Sequence, residues 1–257
     1  MGEFTDKKVL ITGAAGVFGA WITQAFAKKG AALFLSDLRV DDLCRQVTEL
    51  GPLDHEPLVH QDDVTDPASL AQLVADVKKH WLSPDIFVDC AGIYPFSNIL
   101  QTTNEQWDQI FNVNLRAPFI LTRDIANLML AEDIKGSIIH IGSGAARSLR
   151  LNGLPYCISK TGLERLAKGF ALELAPSGIR VNVVEPGFSP GSKIADFPDG
   201  YVDRVLSGIP LGRTSGPDDT ASAVLFLCSQ KAGFITGTSL AVDGGNSIGR
   251  RPTKTRT

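Results

Sequence analysis

The chain has only three tyrosines, Tyr94, Tyr156 and Tyr201, and only Tyr156 has a lysine, Lys160, four positions on. On a helix that spacing places both side chains on one face, and Pro155 suits a first helical turn. A free phenol, with a pKa of about 10, is a poor base at neutral pH. Lowering it by about three units takes roughly 4 kcal/mol. One ammonium about 4 Å away supplies roughly that at an effective dielectric of about 20. Lys160 is therefore expected to make Tyr156 a proton donor and acceptor at working pH. An exposed pair on a helix surface satisfies the same spacing and stays open as the competing reading.

A second group concerns phosphate. The run Ile11-Thr12-Gly13-Ala14-Ala15-Gly16-Val17-Phe18-Gly19 follows a strand-like segment and opens an amphipathic stretch. Glycine lets a backbone turn tightly and approach a pyrophosphate, whose charge the free N–H groups of a helix start can bind. A plain tight turn leaves the same trace. Asp37 ends the next strand-like run, about 20 residues past the glycines, where a carboxylate accepts hydrogen bonds from an adenosine ribose. It would also repel a 2′-phosphate, and the alternative for it is a cap on the helix near residue 41. Arg39 is the opposing signal, since a nearby arginine accommodates that phosphate. The acid at the strand end carries more weight, so NAD is expected over NADP.

The elements that must position these groups are short branched apolar runs alternating with longer amphipathic ones. Strands are expected at Val9–Thr12, Ala32–Ser36, Leu58–Gln61, Ile86–Asp89, Ser137–Gly142, Arg180–Glu185 and Ser239–Val242. Helices are expected near 17–29, 41–50, 67–79, 104–130, 155–176 and 217–228. Continuous apolar character points to strands buried on both faces, as in a parallel sheet, and the alternation to a doubly wound α/β fold. With no internal repeat and no Pro/Ser-rich linker, residues 1–257 read as a single domain. Phe188–Gly216 breaks the rhythm as a long irregular insertion of the kind that forms lids. Arg250–Thr257 reads as a frayed polar tail, too short a charge run to bind nucleic acid or membrane alone.

Composition limits the function classes. The 257 residues are 44% hydrophobic and 21% charged with a net charge of −3, which excludes a disordered chain and a strongly basic nucleic-acid binder. No apolar run approaches the roughly 18 to 20 residues of a membrane span, and the opening MGEFTDKKVLITG has no secretory core. Met1-Gly2 is not followed by the Ser or Thr that myristoylation needs, because position 6 is Asp6. Cys44, Cys90, Cys157 and Cys228 are far apart, which argues against a metal site or a disulfide framework and for reduced thiols in a cytoplasmic protein.

Taken in order, these segments resemble the short-chain dehydrogenase/reductase family. Tyr156-Cys157-Ile158-Ser159-Lys160 is similar to its Tyr-x-x-x-Lys motif, and Ser143 stands 13 residues earlier at a strand end, as the family's catalytic serine does. Asn114 in Asn112-Val113-Asn114-Leu115 matches the family's helix asparagine. Asp63-Val64 resembles its adenine-contact pair, and Ala91-Gly92 the end of its Asn-Asn-Ala-Gly motif. Pro186-Gly187, Thr236-Gly237 and Val242-Asp243-Gly244-Gly245 also fit, so the likeness runs from Lys8 to Gly245.

The resemblance implies a three-layer Rossmann-type fold with seven mainly parallel strands, and hydride transfer between a nicotinamide cofactor and a secondary alcohol or ketone. Tyr156 would exchange the hydroxyl proton, and Ser143 would stabilise the reacting oxygen. Lys160 would hold the cofactor ribose and tune Tyr156, and Asn114 would anchor a water linking Lys160 to solvent. The cofactor would lie against Gly13, Ala15, Gly16, Val17, Phe18, Gly19, Asp37, Asp63, Val64, Ala91, Gly92, Tyr156, Lys160, Pro186, Gly187 and Ser189. Substrate would meet Ser143, Ala145, Tyr156, Tyr94, Leu151 and Phe188 within a pocket that also takes in Ile93, Phe96, Gly144, Leu149, Ile194 and Phe197. This apolar set favours a medium-sized alcohol, while Arg147, Arg150 and Asn152 are available to a polar or acidic one. Helices 104–130 and 155–176 are the family's usual pairing surfaces, so a homodimer or homotetramer is expected.

The pattern departs from the family in three places. Val17 stands at the middle glycine of Thr-Gly-x-x-x-Gly-x-Gly, with Gly16 before it, which reads as a locally altered phosphate loop. Asp89 and Cys90 replace the two asparagines before Ala91. Gly191 stands where a carboxamide-contacting threonine is usual, with Ser189 or Ser192 available instead. Two other classes share parts of this pattern. A catalytically silent dinucleotide sensor or scaffold would need only the cofactor cradle, and a methyltransferase would explain the glycines and Asp37 but not the Ser-Tyr-Lys set.

Overall fold

The computed structural model describes residues 2–191 and 200–249. The segment holding Ser192, Ile194 and Phe197, and the tail Arg250–Thr257, lie outside the described residues. In chain order the elements are β1 (Lys8–Thr12), α1 (Val17–Ala27), β2 (Ala32–Asp37), α2 (Val40–Glu49), β3 (Leu58–Gln61), α3 (Pro67–Trp81) and β4 (Ile86–Asp89). There follow α4 (Asn104–Phe111), α5 (Ala117–Ala131), β5 (Ser137–Ile141), α6 (Leu154–Leu174), β6 (Arg180–Pro186), α7 (Tyr201–Gly208), α8 (Pro217–Cys228) and β7 (Ser239–Val242).

The seven strands form one sheet in the order β3-β2-β1-β4-β5-β6-β7, and every neighbouring pair is parallel. The expected Rossmann-type sheet is present, parallel throughout rather than mainly so. Alternate strand residues enter two apolar layers. Val9, Ile11, Leu33 and Leu35 pack with Ile22 and Phe26 of α1 and Val224 of α8. Leu10, Phe34, Phe87 and Ile138 pack with Leu73 of α3, Leu121 and Ile125 of α5, and Ala167 of α6. Burial on both faces is why these strands read as continuous apolar runs. The chain reverses direction across the sheet between β3 and β4, so the carboxyl ends of β1 and β4 diverge into a crevice, the place where open α/β sheets bind ligands.

Two expectations about the helices are corrected. The stretch 104–130 is not one helix: α4 and α5 are separated by a π-helical segment, Asn112–Arg116. There Asn114, fully buried, turns inward to hydrogen-bond Ile93, and Pro118 in the first turn of α5 has no N–H to continue the ladder. The stretch Phe188–Gly216, read as irregular, contains the short helix α7, which begins after Gly200 in the left-handed conformation (φ 69°). Among the described residues no helix is long and apolar enough to cross a membrane.

Candidate active site

Tyr156 and Lys160 occupy the first two turns of α6, whose N-terminus lies beside the carboxyl end of β5. They are 8% and 5% exposed, which removes the reading of an ordinary surface pair. Lys160 Nζ donates to the carbonyl of Ile141 at 2.9 Å. Burial holds its ammonium down to about 8, against the opposing attraction of Asp89. Ser143, extended at the end of β5, accepts from Ala145 N–H at 3.2 Å and hydrogen-bonds the Tyr156 phenol.

The electrostatics of the phenol differ from expectation. Burial pushes Tyr156 above its ordinary value, opposed by the Ser143 hydrogen bond and the charge of Arg150. The cation lowering the phenol in this state is thus Arg150, whose guanidinium carbon lies 4.6 Å from the Tyr156 ring centroid. The Lys160 amine is directed at the Ile141 carbonyl instead.

Asn114 sits in the π-helical segment, and its amide is engaged by the chain itself. Its Oδ1 accepts from Ile93 N at 2.9 Å, and its Nδ2 donates to Ile93 O at 2.8 Å and to Ser159 Oγ at 3.2 Å. The side chain therefore clamps the turn after β4 to α6. A Cβ added at Gly92 would lie 3.4 Å from Asn114 Oδ1 and 3.6 Å from Lys160 Nζ, so the turn, the amide and the amine converge on one point.

Beyond this cluster, along the carboxyl edge of the sheet, lies a cleft of about 580 Å³. Thirteen of the residues expected to bind cofactor or substrate line it: Gly13, Ala15, Gly16, Val17, Phe18, Gly19, Asp37, Asp63, Val64, Ala91, Gly92, Ser189 and Tyr94. Its geometry fits a dinucleotide. Gly13 has φ 62°, and a Cβ there would meet Ala91 N at 2.6 Å; one on Gly19 would meet Gly13 O at 2.2 Å. Both glycines thus let the loop fold tightly below the helix. The N-terminus of α1 has no side-chain cap and no acidic residue in its first turn, which leaves its N–H groups available to an anion.

Asp37, buried at the end of β2, accepts from Ala15 N and Arg39 N, each at 2.9 Å. Arg39 Nε lies 3.5 Å from Asp37 and its Nη1 3.4 Å from Asp42. Asp62, which sequence reasoning passed over, is the buried member of the Asp62-Asp63 pair and receives Ser69 at 2.6 Å. Its burial left no mark in composition or spacing. Gln46, equally unforeseen, donates to Ala15 O at 3.2 Å from α2.

Other expected positions fall elsewhere. Gly187 and Phe188 line a second cavity of about 470 Å³ with Ile209, Leu211 and Asp243, and Pro186 ends β6, paired with Val242. Neither Pro186 nor Gly187 lines the main cleft among the described residues. Ala145 is half-buried in the turn after Ser143. Leu151, expected against substrate, is 88% exposed. Asn152 with φ 57° reverses the chain here, and Gly153 leaves room for Arg150, not Leu151, to take the inner place. Tyr94 and Tyr156 have ring centroids 6.1 Å apart, and Phe188 meets Tyr201 of α7 at 6.0 Å.

The substituted Asp89 has its own network beneath the site. It accepts from Thr12 Oγ1 at 2.8 Å and lies 3.1 Å from His140 Nδ1, whose Nε2 is 3.1 Å from Thr122 Oγ1. Nearby on β6, fully buried Glu185 pairs with Arg147 and shares a hydrogen bond with Glu164; burial and the second acid push it up to about 7.

A family model described as enoyl-(acyl carrier protein) reductase matches residues 13–247. The chain is 34% identical over 244 residues to the (3R)-3-hydroxyacyl-CoA dehydrogenase of Rattus norvegicus, covering 92% of this chain and 94% of that protein. It is 31% identical over 255 residues to galactitol 2-dehydrogenase of Agrobacterium fabrum, covering 95% and 98%. Among solved structures, a short-chain dehydrogenase/reductase from Serratia marcescens superposes with a TM-score of 0.88 at 29% identity, covering 95% of this chain and 99% of that one. A short-chain type dehydrogenase/reductase from Mycobacterium marinum gives 0.87 at 28%, covering 95% and 96%. The family model, the relatives and the solved structures agree, and the chain belongs to the short-chain dehydrogenase/reductase family.

Proposed function

We propose that this protein is an NAD-dependent oxidoreductase that interconverts a secondary alcohol and the corresponding ketone, with Tyr156 as general acid and base. The observation that carries this reading is the buried Tyr156 phenol, hydrogen-bonded to Ser143 and one helical turn from Lys160, beside a cleft shaped for a dinucleotide. A bound nicotinamide nucleotide supplies the hydride acceptor or donor. Gly13, Gly16 and Gly19 with the α1 N-terminus hold its pyrophosphate, and Asp37 its adenosine ribose. Asp63, Val64, Ala91, Gly92 and Ser189 form the remaining wall.

Tyr156 takes the proton of the substrate hydroxyl during oxidation and returns it during reduction. Ser143 donates to the reacting oxygen and fixes it against the phenol. Lys160 binds the nucleotide ribose and adds positive charge behind the phenol, while Asn114 holds the Ile93 turn in register with α6. NAD is favoured because Arg39, the cation paired with Asp37, is already held by Asp37 and Asp42. The relatives' names span hydroxyacyl-CoA and polyol dehydrogenases, which share a secondary alcohol.

The same proposal takes the chain as one catalytic domain, with 188–216 as a lid whose Ser189 and Gly191 reach the cleft. Exposed Trp107, Phe119 and Leu172 on α4, α5 and α6 suit pairing into a homodimer or homotetramer, and a cytoplasmic setting is consistent with the free cysteines. The test is absorbance in the reduced-nicotinamide band while purified protein meets NAD and a panel of secondary alcohols. Tyr156→Phe should lower turnover by about 100- to 10,000-fold with nucleotide binding retained. Turnover that survives this substitution would reject Tyr156 as the acid/base, and nucleotide binding with no turnover of any alcohol would return the reading to a silent sensor.

A further inference from the structure

Arg150, which faces the Tyr156 ring, has no assigned ligand in the hydride-transfer reading. Its guanidinium lies between two aromatic rings, 4.5 Å from the Phe96 centroid and 4.6 Å from that of Tyr156. One nitrogen, Nη2, donates to the carbonyl of Tyr94 at 3.2 Å. Nε is buried with no hydrogen-bond partner among the described residues. Among the described residues no carboxylate pairs with it, whereas its neighbour Arg147 is paired with Glu185. The conformation is built in: a Cβ on Gly153 would fall 2.3 Å from Arg150 Nε and 2.6 Å from its Cγ, so glycine there lets the side chain lie inward.

The two rings and the Tyr94 carbonyl stabilise this half-buried cation in part, and a ligand anion would add the charge partner they do not supply. A planar guanidinium with spare donors matches a carboxylate, which it can grip with two parallel bonds. Building on the proposed oxidoreductase reading, we infer that Arg150 is the specificity-determining residue and that the substrate is a short hydroxy acid or keto acid. Its hydroxyl is held by Tyr156 and Ser143, and its carboxylate, one or two carbons away, lies on the guanidinium above the tyrosine ring. This narrows the aromatic pocket from neutral alcohols to anionic ones.

The experiment compares 2- and 3-hydroxybutyrate with their methyl esters, using the full chain and NAD. The acid should exceed its ester in kcat/KM by at least about 100-fold, because an ester leaves the half-buried cation without a charge partner. Arg150→Met should collapse that acid-to-ester ratio by at least about 100-fold, with the loss for the acid concentrated in KM. Gly153→Ala, which displaces the side chain without removing its charge, should shift the ratio in the same direction. An ester used as well as its acid, or a ratio unmoved by Arg150→Met, overturns the inference while leaving the oxidoreductase reading intact. Should no alcohol turn over, binding of 2-oxobutyrate to the complex with reduced nucleotide decides the matter by thermal shift. A stabilisation lost in Arg150→Met supports the cation's role and refutes only the reaction, and no stabilisation overturns the inference.

Discussion

Replacing Asp37 by alanine should reverse the order in which the protein prefers the two nicotinamide nucleotides. The carboxylate is buried at the end of β2 and lines the cleft, with each oxygen already receiving one backbone N–H and having a further lone pair. A charge-assisted hydrogen bond to a ribose hydroxyl is worth about 1.5–3 kcal/mol, so NAD binding should weaken by about 10- to 100-fold. A 2′-phosphate placed at the same oxygens would feel a repulsion of up to about 4 kcal/mol per unit charge at 4 Å and an effective dielectric of about 20. Solvent in an open cleft reduces that figure, yet its removal adds to the first effect. Alanine also releases Arg39 from the anion 3.5 Å away.

The NAD-to-NADP affinity ratio should therefore fall by about 100- to 1,000-fold, a change of about 3–4 kcal/mol. Isothermal titration of the unmodified protein, Asp37→Ala and Asp37→Ala/Arg39→Ala with each nucleotide measures it. The double variant should lose the part of the NADP gain that Arg39 supplies. If Asp37→Ala leaves the ratio unchanged while the protein stays folded, Asp37 does not contact the ribose and the cofactor assignment is wrong.

Three further outcomes follow from the same geometry. Lys160→Met should end turnover but stabilise the nucleotide-free protein at pH 7, by about 2 kcal/mol or roughly 4–8 °C in Tm. The reason is that burial depresses the lysine to about 8, penalising the folded state wherever the amine is charged; the advantage should shrink as pH rises from about 8 toward 10.5, which thermal melts across that range will show. Glu185 is raised to about 7, so its folded-state preference for the neutral acid favours folding at low pH and fades as pH climbs through 7; Glu185→Gln should flatten the dependence of Tm on pH between 5 and 8. Gly19→Ala, with its Cβ 2.2 Å from Gly13 O, should cost about 1–3 kcal/mol by denaturant titration and abolish nucleotide binding, whereas Gly16→Ala, at 3.1 Å from the same oxygen, should keep binding within about tenfold.

Much of the scaffold was legible in the residue order. Leu58–Gln61, Ile86–Asp89 and Ser239–Val242 are strands at the expected residues, and α8 spans the expected 217–228, because branched apolar runs and turn residues act over a few neighbours. The helix α7 was hidden because its start at a left-handed glycine lies in a stretch rich in Gly and Pro, the usual mark of a loop. The π-helical break at Asn114 was equally invisible, since its partner Ile93 lies 21 positions away in the chain.

At the site, residue types and spacing were enough to single out Tyr156, Lys160 and Asp37, because a helical turn and a strand end fix where such side chains can go, while Ser143 entered only through the family resemblance. The protonation balance of that cluster and the identity of its neighbours belonged to the tertiary structure alone. Whether Tyr156 is raised by burial or lowered by a cation depends on how deeply α6 packs and on which charge reaches the ring, and that charge came from Arg150 rather than Lys160. Local propensity acts through bonds and turns, whereas desolvation and Coulomb forces act through space, so only the assembled fold could set them.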